Sequence, residues 1–136
     1  MDCTCSMRPQ LSAVTEQIRA IVDETLQSYP GWTVKVGFAG YFDHKSAGEY
    51  ERNRLPFTLD FTTDVEGFKE AINTIVVQDG YDYAEDVLAG LEGAASHLNW
   101  NSKVRLLIHF GDAPPHGQIY LICTFCLPSV YMYLVR

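Results

Sequence analysis

The chain has 136 residues, of which 47% are hydrophobic and 20% charged, and its formal net charge is −7. That length holds one domain around one core, and that composition excludes a disordered chain. The acidic balance argues against nucleic acid or an anionic membrane as partner, because both require a basic face.

In chain order, Ser6 predicts a helix cap with Pro9 in the first turn. Leu11, Val14, Ile18, Ile21, Val22 and Leu26 then form one apolar stripe at helical spacing, which Pro30-Gly31 stops. Trp32 to Phe42 reads as a strand, since Val34, Val36 and Phe38 alternate with Lys35 and Gly37. Lys45 to Arg54 is charged and polar, as in a surface loop. Leu55 to Phe61 is a short strand, and its Pro56 favours an edge. Thr63-Asp64-Val65-Glu66 has the form of a capping box, and Val65, Phe68, Ile72 and Ile75 continue it as a helix. An acidic loop, Asp79 to Asp86, opens a further helical stripe of Ala84, Val87, Leu88, Leu91, Ala95 and Leu98. Lys103 to Phe110 carries the run Leu106-Leu107-Ile108, which suits a buried central strand. Strands alternating with helices predict an α/β doubly wound sheet, where ligands bind beyond the carboxyl ends of the strands. Asp112 lies just past such an end.

Met1-Asp2-Cys3 is polar and opens no secretory signal, which favours a cytoplasmic protein. Cys3, Cys5, Cys123 and Cys126 then read as reduced thiols rather than a disulfide framework. C-x-C with C-x-x-C could ligate zinc, but Cys123 and Cys126 lie in an apolar run that suits buried small hydrophobes.

Three stretches carry side-chain oxygens suited to a hard cation. Asp2-Cys3-Thr4-Cys5-Ser6 has the form D-x-T-x-S, one carboxylate and two hydroxyls at alternate positions. Mg²⁺ takes near-octahedral oxygen coordination and usually keeps some water. The second stretch is the acidic loop with Asp82, and the third ends the strand at Asp112 within Ile108 to Gly117. Each residue also has an ordinary reading. Asp2 could be a plain terminal residue, Ser6 a helix cap, Asp82 and Asp86 a helix start favoured by the macrodipole, and Asp112 a turn residue before Pro114. His44, His109 and His116 invite an acid–base reading, but His109 falls in a strand pattern that suits a core histidine. No H-E-x-x-H, G-x-S-x-G or P-loop occurs, so an enzyme is not expected.

The order D-C-T-x-S-M, V-G-F-A-G-Y-F-D-H, E-D-V-L-A-G-L and I-H-F-G-D-A-P-P-H-G resembles the von Willebrand factor A domain, in the form found in the alpha-protein-kinase group. The resemblance covers residues 1–117 and leaves 118–136 as an apolar tail. It implies a Rossmann-like sheet flanked by helices and one Mg²⁺ or Mn²⁺ ion at a metal-ion-dependent adhesion site formed by Asp2, Thr4, Ser6, Asp82 and Asp112. It implies that the ion accepts an acidic side chain of a protein partner. The alternative is a piece of an alpha-kinase-like or other multidomain protein, regulatory or scaffolding, with the metal unused.

Three departures from the family pattern carry expectations. The apolar strand that precedes D-x-T-x-S in the family is missing, so the sheet is expected to lack its first central strand, as in a truncated domain. Asp2 is then expected at a frayed terminus. Cys5 stands where the family commonly has Gly, a steric cost if that position needs positive φ. Ile119 to Val135 has no charged residue. As a helix it would span about 25 Å, short of a hydrocarbon core of ~30 Å, so a strand is expected ahead of a membrane anchor.

Overall fold

Pro9 sits in the first turn of a long helix, where its missing N–H costs nothing, and the helix runs from Arg8 to Ser28 (α1). A 3₁₀ turn, Cys5–Met7, leads into it. Ser6 makes no capping bond; its hydroxyl lies against Thr4 instead, 3.2 Å from Thr4 Oγ1. Leu11, Thr15 and Val22 are buried, and the Thr15 hydroxyl is satisfied by the Leu11 carbonyl at 2.9 Å. Ile21 and Leu26, the outer members of the expected stripe, are exposed. The chain leaves the helix through Gly31, whose φ of 89° lies in the left-handed region that glycine enters freely.

The computed structural model describes residues 1–43, 57–77, 84–115 and 129–135, the last as backbone. After α1 come β1 (Val36–Gly40), β2 (Phe57–Thr62), α2 (Val65–Asn73), α3 (Val87–His97), β3 (Arg105–Gly111) and β4 (Ser129–Val135). Expected strands at Trp32–Phe42 and Leu55–Phe61 are thus shorter or shifted by one or two residues. β1 pairs antiparallel with β2, with an irregularity between Val36 and Phe38. β3 pairs antiparallel with β4 in continuous register from Arg105↔Val135 to Gly111↔Ser129. The chain is therefore α/β, but its ladders among the described residues are antiparallel, not the parallel ladders of a doubly wound sheet. Ile119 to Leu127 lie outside the described residues, as does the loop 45–54; the tail's later part, Ser129–Val135, forms a strand.

Met1 to Cys3 occupy the gap between the two pairs. Tyr41 N–H donates to the Met1 carbonyl at 3.0 Å and Cys3 N–H to the Tyr41 carbonyl at 2.8 Å. On the other side Asp2 N–H donates to the Phe110 carbonyl at 2.9 Å. The Met1 amine donates to the Ala39 carbonyl at 2.6 Å. Asp2 and Tyr41 thereby form an isolated parallel bridge. The expectation of a frayed Asp2 is corrected: its side chain is fully buried, because hydrogen bonds to both neighbours hold the backbone as an extended bridging segment, although no strand forms there. Cys5 carries no strain either, since no residue other than glycine has positive φ among the described residues.

Alternation along β1 puts two layers on its two faces. Phe38 joins the core cluster of Met1, Cys3, Met7, Leu11, Phe68 and Ile72, which α1 and α2 cover. Tyr41 points the opposite way, toward Gly90 on α3. The buried face of α3 is Val87, Gly90, Gly93 and Ala94, while Leu88 faces solvent. Of the expected stripe Ala84, Val87 and Leu98 are buried and Leu91 is half-buried, whereas Leu88 and Ala95 are exposed and Gly90, Gly93 and Ala94 take the inner face, which lets the helix approach the sheet closely. Leu106 is likewise exposed, so β3 is not buried on both faces. The capping box also shifts by one residue. Asp64 is the N-cap of α2, its Oδ1 accepting from Gly67 N–H at 3.0 Å, and Glu66 pairs with Arg19 and Lys69.

Candidate metal centre

The bridging segment Met1–Cys3 leads directly into the 3₁₀ turn Cys5–Met7. This turn folds Thr4 back on Asp2. Asp2 Oδ1 accepts from Thr4 N–H at 2.8 Å and from Thr4 Oγ1 at 2.7 Å. Asp2 and Thr4 are buried, whereas Ser6 is exposed at the rim. Among the described residues Asp2 Oδ2 is buried with no hydrogen-bond partner. Burial raises the Asp2 carboxyl above its usual range; the two Thr4 bonds oppose that, and Asp112 adds to it. Asp112, half-buried just beyond β3, is thus close enough to act on Asp2.

A second carboxylate converges on the same place, and the sequence reading did not select it. Glu85 is 4% exposed, and its Oε2 also lacks a partner among the described residues. Burial pushes its carboxyl up to about 8, with Asp2 and Asp43 adding repulsion, a hydrogen bond with the Thr4 side chain opposing them, and Asp112 adding a little more. Its backbone is fixed from two sides. Glu85 N–H donates to the Pro114 carbonyl at 3.0 Å, and Asp86 N–H to the Phe42 carbonyl at 3.2 Å. Segments after β1, before α3 and after β3 are therefore joined here by backbone hydrogen bonds. Asp86 is the cap of α3, its Oδ1 accepting from Ala89 N–H at 3.1 Å, as the ordinary reading had it. Asp82 lies outside the described residues, as do His44, His116, Cys123 and Cys126.

Beneath the carboxylates, Tyr41 Oη and His109 Nε2 share a 2.7 Å hydrogen bond. Burial lowers His109 to about 4, so the ring is neutral, and burial followed by Asp2 raises Tyr41. His109 is a core histidine. Cys3 is buried, and its thiol is pushed up to about 11.

Among the described residues no three His, Cys, Asp or Glu side chains are grouped closely enough to hold a metal ion by themselves. The place where Asp2 and Glu85 meet is completed by hydroxyls instead. An oxygen-only donor set with two unpartnered carboxylate oxygens fits a small hard cation better than zinc.

No family model matches the chain, and no solved structure matches it. The chain is similar to an alpha-protein kinase, vwkA, of Dictyostelium discoideum, at 29% identity over 121 residues. The match covers 88% of this chain and 18% of that protein, so the chain spans about a fifth of its relative's length.

Proposed function

We propose that the chain is a protein-binding module that holds one Mg²⁺ or Mn²⁺ ion at Asp2, Thr4 and Ser6, with Asp112 and Asp82 contributing directly or through water. The observation that carries the reading is the buried, unpartnered Oδ2 of Asp2 beside the Thr4 and Ser6 hydroxyls. A buried carboxylate oxygen without a donor costs about 1–3 kcal/mol or more, and a cation removes that cost. When bound, the ion would offer an open coordination position to an Asp or Glu of a partner protein. The chain's own residues prepare that position. Thr4 orients Asp2 through two bonds, and Ser6 opens the site to solvent at its rim. No residue here is assigned a catalytic step.

Calorimetric titration of Mn²⁺ tests the reading. Wild type should bind one ion, and Asp112→Ala should weaken binding at least tenfold. Equal affinity in both would remove Asp112 from the site. A second reading rests on the likeness to vwkA: the chain serves as a regulatory or scaffolding region of an alpha-kinase-like protein without using a metal. Absence of any Mn²⁺ binding would favour it.

A further inference from the structure

We propose that Glu85 is a direct ligand of the cation, facing Asp2 across Thr4. The proposal rests on the metal reading above and extends its ligand set to a residue that neither the D-x-T-x-S pattern nor the family resemblance supplies.

The argument is a count of protons. Thr4 Oγ1 carries one proton and lies 2.7 Å from Asp2 Oδ1 and 3.2 Å from Ser6 Oγ. With both groups ionised, as a bound cation requires, that one proton goes to Asp2 Oδ1 and none is left for Glu85. Among the described residues the other donor to Asp2 is Thr4 N–H, which goes to the same oxygen, Oδ1. Asp2 Oδ2 and Glu85 Oε2 are left buried and, among the described residues, without a donor. Both side chains are more than nine-tenths buried, at 0% and 4% exposure, so bulk water does not supply what is missing.

Position supports the same conclusion. Glu85 is held by the Pro114 carbonyl and sits next to Asp86, which is held by the Phe42 carbonyl. Its backbone also forms a parallel bridge with Pro115. A carboxylate fixed at both flanks and aimed at a second carboxylate is built to hold something of opposite charge. Two carboxylate oxygens and two hydroxyls suit a divalent cation, with Asp112 near enough to join through water.

Labelled glutamate provides a test on the wild-type chain. Every other carboxylate in the proposed set is an aspartate, so side-chain ¹³C resonances separate the two questions. Protein labelled at glutamate Cδ is titrated with Mg²⁺, and a second sample labelled at aspartate Cγ is titrated in parallel. We expect one glutamate resonance and several aspartate resonances to move together to saturation. The moving glutamate resonance should be missing in Glu85→Gln, and that variant should bind Mg²⁺ at least tenfold more weakly. Aspartate shifts with no glutamate shift would overturn the role of Glu85 and leave the site itself standing. No shift in either sample would overturn both. If Glu85→Gln does not fold, the wild-type titrations still decide between these outcomes.

Discussion

Tyr41 stands where the candidate site meets the core, and two glycines make room for it. A Cβ on Gly111 would lie 2.8 Å from Tyr41 Oη, and one on Gly90 would run into the ring at Cδ1. Gly90→Ala is therefore expected to cost about 1–3 kcal/mol by forcing Tyr41 or α3 to shift. Chemical denaturation would measure it, and a neutral Gly90→Ala would mean that the helix–strand approach is looser than described. The partner of Tyr41 titrates. His109 falls from an ordinary 6.5 to about 4 in the folded chain. Between these values the unfolded chain binds the extra proton, so this group's contribution to stability is intact above pH 6.5 and is lost as pH falls toward 4. The full shift amounts to about 3 kcal/mol. Glu85 acts with the opposite sign, because its carboxyl is raised to about 8 and favours the folded chain as pH falls. His109→Gln must therefore be compared with wild type at each pH. The variant should be the less stable at pH 7.5, and its deficit should shrink by about 2–3 kcal/mol by pH 4.5. A deficit that stays constant would show that His109 has the same proton affinity folded and unfolded.

At the level of elements, local chemistry was legible wherever one residue dictated the outcome. Pro9 marked the first turn of α1, Pro30-Gly31 its end, and the alternation of Val36 and Phe38 the strand β1. What failed depended on neighbours far away in sequence. The stripe through Leu88 was read as buried, but α3 lies so close to Tyr41 that small residues must face inward. The run Leu106-Leu107-Ile108 suggested a strand covered on both faces, yet Leu106 is open. The D-x-T-x-S pattern was visible because its side-chain oxygens share one turn. Glu85 was not, because its place depends on Pro114, and no local spacing encodes that pairing. The start of α2 was misread by one residue, since Thr63 and Asp64 are both capping types. Asp64 accepts from Gly67 N–H, so Asp64→Ala should cost about 0.5–2 kcal/mol while Thr63→Ala stays near neutral. Thermal melts of the two variants would check this, and the reverse order would restore the capping-box reading.

For the whole molecule, the role of Met1 to Cys3 decides how the parts cooperate. Among the described residues β1–β2 and β3–β4 are separate antiparallel pairs. Met1 to Cys3 hydrogen-bond to the ends of β1 and β3, and so tie the two pairs together. The same residues carry Asp2 into the candidate site. A cation that fastens Asp2 to Glu85 and Asp112 would therefore fasten both sheets at once, one through Tyr41 and one through Phe110. Hydrogen exchange can read this directly, because the two amides concerned point to different sheets. Asp2 N–H reports on β3 through the Phe110 carbonyl, and Cys3 N–H on β1 through the Tyr41 carbonyl. Without added metal both amides should exchange slowly, as paired strand amides do, rather than at the rate of a fraying end. Addition of Mg²⁺ should slow both together, along with amides of β1 and β3, since binding to the folded chain alone raises its stability by mass action. Fast exchange at Asp2 and Cys3 would mean that this segment does not bridge the sheets. Slow exchange that Mg²⁺ leaves unchanged would keep the bridge but separate it from the metal. Protection rising at Cys3 and not at Asp2 would place the ion's effect on one sheet, and the two pairs would then have to be treated as independent units.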